Sequence, residues 1–122
     1  MQLLILTGSM GAGKTTALGE ISDLLSRRGI AHAAIDADAL DGGYFPEGKP
    51  RDLMQRNLAA VWSSYAALGI RRLVIAYAVE GASEIHQIRD AVHANTVTTV
   101  RLTAHLETMR QRVAVRRNRQ SR

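Results

Sequence analysis

The 122-residue sequence contains no cysteine, two prolines, one tryptophan, one phenylalanine and three tyrosines. The lack of cysteine excludes a disulfide framework, a zinc site with cysteine ligands and thiol catalysis. No run of eighteen apolar residues occurs, so no membrane-spanning helix is predicted. The N-terminus has neither a basic leader nor a signal-peptide cleavage site. We therefore expect a cytoplasmic protein that does not bind membranes.

Positive charge is concentrated at the C-terminal end, although the formal net charge of the chain is +5. Six arginines follow Glu107 with no further acidic residue: Arg110, Arg112, Arg116, Arg117, Arg119 and Arg122. The rest of the chain carries ten basic and eleven acidic residues. Proteins that coat DNA typically have a surface that is basic throughout. Such a surface is not predicted for this chain. Nucleic-acid binding through the arginine-rich end is only a third hypothesis.

Short apolar runs alternate with longer segments of helical period. Strands are predicted at 2–7, 32–36, 73–79 and 97–103, and helices at 14–28, 53–68, 83–94 and 106–118. This alternation predicts right-handed βαβ units and a three-layer α/β fold with a parallel sheet. The nearly all-apolar run 73–79 is typical of a central strand buried on both faces. The length predicts a single domain, 1–122.

Apolar residues at helical spacing predict which helix faces pack. In the first helix these residues are Leu18, Ile21, Leu24 and Leu25, and in the second they are Leu58, Trp62, Tyr65 and Leu68. Residues 41–50 contain both prolines and the single phenylalanine, and they are predicted to be an irregular loop. The four histidines show no metal-binding spacing. We predict no histidine metal site.

Residues 8–15 match the pattern G-x-x-x-x-G-K-[ST] directly after the first predicted strand. Three glycines permit the backbone angles that turn the amides of residues 11–14 toward phosphate oxygens. A lysine supplies charge for the β- and γ-phosphates, a threonine hydroxyl is placed to bind Mg²⁺, and the following helix adds its dipole. The predicted nucleotide-binding residues are Gly8, Ser9, Met10, Gly11, Ala12, Gly13, Lys14, Thr15 and Thr16.

Acidic residues follow the second and third predicted strands. Asp36 and Asp38 lie at the carboxyl end of the second strand, the edge of an open parallel sheet at which ligands bind. One carboxylate can hold Mg²⁺ while the other accepts a proton from a substrate hydroxyl, and Thr15 and Asp36 are our predicted metal ligands. Alternatively, one aspartate only caps the next turn. Glu80 is equally compatible with a metal or water ligand and with a solvated strand end or helix cap.

Arg112 and Arg116 lie four residues apart in the last predicted helix and therefore share a face. Guanidinium groups on one face can neutralise the charge of a transferring phosphate. A solvated basic helix end explains the same residues equally well.

Taken together, the glycine-rich loop, the Asp-x-Asp segment and the late arginines resemble small-molecule kinases of the P-loop class. Adenylylsulfate, gluconate and shikimate kinases are nearest in pattern. In that group the second-strand aspartates contact substrate and magnesium, and arginines after strand four belong to a lid over ATP. The resemblance implies those roles for Asp36, Asp38, Arg112 and Arg116. Residues 76–80 match no single kinase of the group, so the acceptor is not identified.

Kinases of this group continue to a fifth strand, an adenine-contacting loop and a closing helix. Since this chain ends at Arg122, we expect a P-loop fold that lacks the C-terminal strand and helix. The chain is then either truncated after the lid helix or completed by another chain. An exposed fourth-strand edge favours a homodimer or a strand-exchanged oligomer.

The pattern as a whole predicts a kinase that transfers the γ-phosphate of ATP, with Mg²⁺, to a hydroxyl of a small molecule. The predicted catalytic residues are Lys14, Asp36, Asp38, Arg112 and Arg116. The alternative is a nucleotide-binding regulator or partner subunit with weak or no phosphotransfer. No N-K-x-D segment for guanine recognition follows the fourth strand.

Overall fold

The computed structural model describes residues 1–9 and 11–103. Its strands are β1 (Gln2–Thr7), β2 (Ala33–Asp36), β3 (Arg72–Ala76) and β4 (Thr96–Arg101), and its helices are α1 (Lys14–Arg27), α2 (Leu53–Ala67) and α3 (Ala82–Val92). A single 3-10 turn, Ala37–Ala39, follows β2. The predicted alternation of strands and helices is confirmed for these elements. Met10 and the predicted helix 106–118 lie outside the described residues.

The four strands form one parallel sheet in the order β2-β3-β1-β4. The prediction that the third strand is central is confirmed, since β3 lies between β2 and β1 and its residues 73–76 are buried. Within the described residues, β2 and β4 form the two edges of the sheet. Pairing of the β4 edge with another chain stays a prediction.

Helices α2 and α3 cover one face of the sheet, because their apolar residues recur at helical spacing and face the strands. The core on this face contains Leu3, Ile5, Ile35, Leu73 and Ile75 from the strands, with Met54, Leu58 and Trp62 from α2 and Ile88 and Val92 from α3. Helix α1 covers the other face, where Leu18 packs with Leu6, Val74 and Ala76. The result is the predicted three-layer arrangement.

Two apolar residues that we predicted to pack are exposed. Leu24 is 44% exposed because the side of α1 that contacts the sheet is formed by Ala17, Leu18, Ile21 and Leu25, and Leu24 lies at its rim. Leu68 is 78% exposed because α2 ends at Ala67 and Leu68 is only its C-cap. The predictions for Leu58 and Trp62 are confirmed.

Strand β3 ends at Ala76, three residues before the predicted end. Ala76 pairs with Leu6 of β1 and with Asp36 of β2, and β2 stops there. Residues 77–79 are therefore not part of the strand although their apolar composition continues the strand pattern, and the amide of Tyr77 still donates to β1, to the carbonyl oxygen of Leu6 at 3.0 Å. The sequence pattern was misleading here because strand length is limited by the neighbouring strands.

The segment between the 3-10 turn and α2 contains no strand, as predicted for 41–50. Lys49 and Asp41 form an ion pair of 3.3 Å across this loop. No helix in the part of the chain that the structure describes is long and apolar enough to span a membrane.

Candidate nucleotide-binding site

The phosphate loop, residues 8–15, begins where β1 ends. Gly8, Gly11 and Gly13 have φ angles of +150°, +82° and +92°, which side chains rarely permit. A Cβ on Gly8 would lie 2.7 Å from the carbonyl oxygen of Leu102. Glycine is therefore needed at position 8 both for the backbone angle and for the close approach of the chain after β4.

Helix α1 begins at Lys14, so its N-terminus forms part of the loop. Among the described residues no side chain caps this terminus, and its first turn contains no acidic residue. The amides and the positive end of the helix dipole therefore suit an anion. Thr15 and Thr16 are exposed in this turn. These features fit a bound phosphate group.

The ammonium group of Lys14 is turned toward the protein. Its Nζ donates a hydrogen bond of 2.7 Å to the carbonyl oxygen of Gly8 and lies 3.5 Å from that of Ser9. It also lies 3.8 Å from Asp38 Oδ2, and the Lys14 side chain is only 11% exposed. The structure thus brings together two of the residues that the sequence predicted for the site.

Asp36 and Asp38, which lie at and just after the end of β2, accept hydrogen bonds from different parts of the chain. Asp36 Oδ1 accepts a hydrogen bond of 3.2 Å from the amide of Asp38 and caps the 3-10 turn, and a role of Asp36 in metal binding stays a prediction. Asp38 reaches across the sheet edge, where its Oδ1 accepts a hydrogen bond of 3.2 Å from the amide of Ala78. Asp38 is therefore the aspartate that contacts both the phosphate loop and the segment after β3.

Three consecutive amides after β3 are held by side chains from three different elements. Besides the bond from Ala78 to Asp38, Val79 donates to Thr7 Oγ1 at 2.9 Å, and Glu80 donates to Glu84 Oε1 at 3.0 Å. These bonds replace the strand pairing that ends at Ala76. They position the exposed Glu80 at the same edge of the sheet as the phosphate loop, but they do not decide between its two predicted roles.

Tyr77 is a half-buried residue at this edge that sequence analysis treated only as part of a strand. Burial raises the pKa of its phenol from 10.0 to about 12, and nearby carboxylates add to the rise: Glu84, Asp41, Asp38 and Glu80. The phenol therefore keeps its proton to a higher pH than an ordinary tyrosine does. The position of Tyr77 at the end of the third apolar run was the one signal in the sequence that could have placed it at the candidate site.

The residue types at this edge suit Mg²⁺, which prefers oxygen ligands. Within residues 1–9 and 11–103, no three side chains of histidine, aspartate or glutamate converge as a metal site. A magnesium ion that keeps its waters and binds nucleotide phosphates needs only one or two carboxylates or hydroxyls from the protein. Thr15 and Asp36 are chemically suited to that role, and their assignment stays a prediction. Arg112 and Arg116 lie outside the described residues.

An open depression of about 350 Å³ lies elsewhere, between α2 and α3. It is lined by Arg51, Asp52, Gln55, Gln87 and Asp90. None of these residues belongs to the predicted site. The depression is therefore not part of the predicted nucleotide-binding site.

No protein-family model matches this sequence, and no curated protein matches it either. Solved structures do match. A sugar kinase from Janibacter aligns with a TM-score of 0.66 and 21% identity, over 93% of this chain and 66% of the kinase chain. The APS kinase of Mycobacterium tuberculosis, in complex with AMPPNP and APS, aligns with a TM-score of 0.60 and 21% identity, over 91% of this chain and 67% of that chain.

A gluconokinase from Sinorhizobium meliloti aligns with a TM-score of 0.57 and 21% identity, over 94% of this chain and 65% of the gluconokinase chain. The chain thus spans about two thirds of the length of these kinases. The predicted α/β fold with a parallel sheet is confirmed, and the chain shares it with these three kinases. At 21% identity the likeness shows a shared fold, and it does not identify a substrate for this chain.

Proposed function

We propose that the protein is an ATP-dependent kinase that transfers the γ-phosphate of Mg·ATP to a hydroxyl group of a small molecule. The observation that carries this proposal is the 3.8 Å distance between Lys14 Nζ and Asp38 Oδ2. Phosphoryl transfer to a hydroxyl needs a cation for the phosphates and a base for the acceptor proton at one place. Both groups lie at one edge of the sheet.

Each part of the site has a role in the proposed reaction. The loop amides, the start of α1 and Lys14 bind the phosphates. The acceptor oxygen forms a bond to the γ-phosphorus while the bond from that phosphorus to the β,γ-bridging oxygen breaks, and ADP leaves. The acceptor proton moves to the Asp38 carboxylate. When bound through Thr15 and Asp36, Mg²⁺ would supply positive charge to the phosphate oxygens.

Arg112 and Arg116 complete the proposal as predicted by the resemblance to P-loop kinases. Their part would be to neutralise charge on the γ-phosphate during transfer. The solvated helix end remains the competing explanation, and deletion of residues 110–122 separates the two. Loss of turnover with retained ATP affinity would support a role in transfer.

The decisive experiment is incubation of the protein with Mg·ATP and a pool of small hydroxyl-bearing metabolites, followed by mass spectrometry. We expect one compound to gain the mass of a phosphoryl group, with release of ADP. The Lys14→Ala protein, checked for folding by circular dichroism, is the control and should give no product. Tight ATP binding without any product would overturn the kinase proposal and favour the nucleotide-binding regulator.

A further inference from the structure

The Lys14 ammonium group donates to a carbonyl oxygen of the phosphate loop and lies beside the carboxylate of Asp38. The carbonyl oxygen of Gly8 at 2.7 Å and Asp38 Oδ2 at 3.8 Å lie around a side chain that is 11% exposed. An ammonium group has three donors and no acceptor. Asp38 Oδ2 at 3.8 Å lies beyond hydrogen-bond distance, so a triphosphate that recruits Lys14 competes with Asp38 for the positive charge of Lys14 and not for one of its donors.

Asp38 connects this lysine to the opposite side of the site. Its second carboxylate oxygen, Oδ1, accepts the amide of Ala78 at 3.2 Å, so the side chain is anchored while Oδ2 faces Lys14. Asp38 is itself 41% exposed and can meet an acceptor from solvent. An acceptor hydroxyl that meets this carboxylate would therefore lie close to the phosphate-binding cation.

We propose that Asp38 couples nucleotide binding to acceptor activation. Without nucleotide, Asp38 Oδ2 and Gly8 retain Lys14; when a triphosphate recruits Lys14, Oδ2 is released to accept the hydroxyl proton. This inference rests on the proposed function and extends it to the order of events. Nucleotide binds first, and the acceptor binds more tightly once nucleotide is present. Because linkage is reciprocal, the acceptor also tightens nucleotide binding.

The coupling makes an unusual prediction for Asp38→Asn. The amide keeps an oxygen for Ala78 but removes the charge that competes for Lys14. ATP affinity should therefore rise about two- to fivefold, the range expected for losing one partly exposed ion pair. Turnover should fall at the same time, because an amide does not accept the proton. A merely structural role would lower both.

The test is a calorimetric titration with AMPPNP in EDTA, which removes any contribution of carboxylates to magnesium binding. Asp41→Asn is the matched control, since Asp41 lies at the same edge but pairs with Lys49 at 3.3 Å. It corrects for the general effect of removing a negative charge near an anion. We expect tighter binding for Asp38→Asn and a smaller change for Asp41→Asn.

Asp38→Glu provides a second variant because it restores the charge with a longer reach. We expect it to bind AMPPNP like wild type, and both Asp38 variants are checked by thermal unfolding. Equal or weaker affinity in folded Asp38→Asn, or equal losses in both Asp38 variants, would overturn the coupling. The titration needs no acceptor, so this failure is distinct from the absence of a phosphorylated product, which bears on the proposed function alone.

Discussion

The hydroxyl of Thr7 accepts a hydrogen bond of 2.9 Å from the backbone amide of Val79, which lies 72 residues away in sequence. Thr7 is the last residue of β1 and is only 4% exposed. Val79 lies in the segment that leaves β3. The bond therefore joins the start of the phosphate loop to the part of the chain that presents Glu80. It aligns two components of the candidate site through one buried side chain.

We expect Thr7→Val to destabilise the fold by about 1 to 3 kcal/mol, because valine matches threonine in shape but leaves the Val79 amide without its acceptor. Urea unfolding measures the change. Thr7→Ser keeps the oxygen and loses one methyl group, which corresponds to about 0.8 kcal/mol of apolar burial. If Thr7→Val were as stable as wild type, the hydrogen bond between Thr7 and Val79 would not contribute to the free energy of unfolding.

Gly8→Ala should destabilise the protein by about 1 to 3 kcal/mol through backbone strain alone. The φ angle is +150°, and the new Cβ would meet the Leu102 carbonyl oxygen at 2.7 Å. Gly19→Ala is the control, because Gly19 lies within α1 and its Cβ would meet nothing within 4 Å. That change should stabilise α1 by about 0.5 to 1 kcal/mol. Similar thermal unfolding of both variants would contradict the close approach at Gly8.

Lys14→Ala should weaken ATP binding about ten- to a hundredfold, the loss expected for removing a charged hydrogen-bond donor to phosphate. Lys49→Ala is the matched control, since Lys49 is the other lysine of the chain and pairs with Asp41 in the loop. We expect Lys49→Ala to bind ATP like wild type. Isothermal titration calorimetry distinguishes the two, and equal affinities for both variants would place the nucleotide elsewhere.

The raised pKa of Tyr77 predicts that the folded protein loses stability at alkaline pH. Since its pKa is raised from 10.0 to about 12 in the folded protein, the folded state holds the phenolic proton more tightly than the unfolded state. This contribution is complete below pH 10 and is lost as the pH rises toward 12. Wild type should therefore lose stability more steeply than Tyr77→Phe over that interval.

Urea unfolding at several pH values measures these slopes. Tyr44→Phe removes a phenol that is 87% exposed and should keep the wild-type slope. Identical slopes for wild type and Tyr77→Phe would show that neither burial nor the nearby carboxylates raise the pKa of Tyr77 in the folded protein.

Local patterns predicted much of the fold. The alternation of short apolar runs with helical periods identified the seven described strands and helices, because side-chain periodicity is a property of each segment alone. The end of β3 was predicted three residues too late. Residues 77–79 remain apolar, but β2 stops at Asp36 opposite Ala76. The point at which a strand loses its neighbours depends on other parts of the chain. The composition of the strand itself does not predict that point.

For the site, sequence placed the phosphate loop, named both aspartates and assigned Asp36 to the metal, but it did not show which groups each aspartate contacts. The structure shows Asp36 capping a local turn and Asp38 reaching Ala78 and Lys14. Thr7, Tyr77 and Glu84 were missed because each has an ordinary role within its own element. Their common location appears only when the carboxyl ends of the strands are brought together.

By itself, the sequence determined that a glycine-rich loop joins the first strand to a helix and ends in a lysine and a threonine. That information is local, because the backbone angles and the anion-binding helix terminus depend on adjacent residues. Only the tertiary structure decided which carboxylate meets Lys14 and which side chains hold the chain after β3. Those contacts follow from the strand order β2-β3-β1-β4, which places residues distant in sequence at one edge of the sheet.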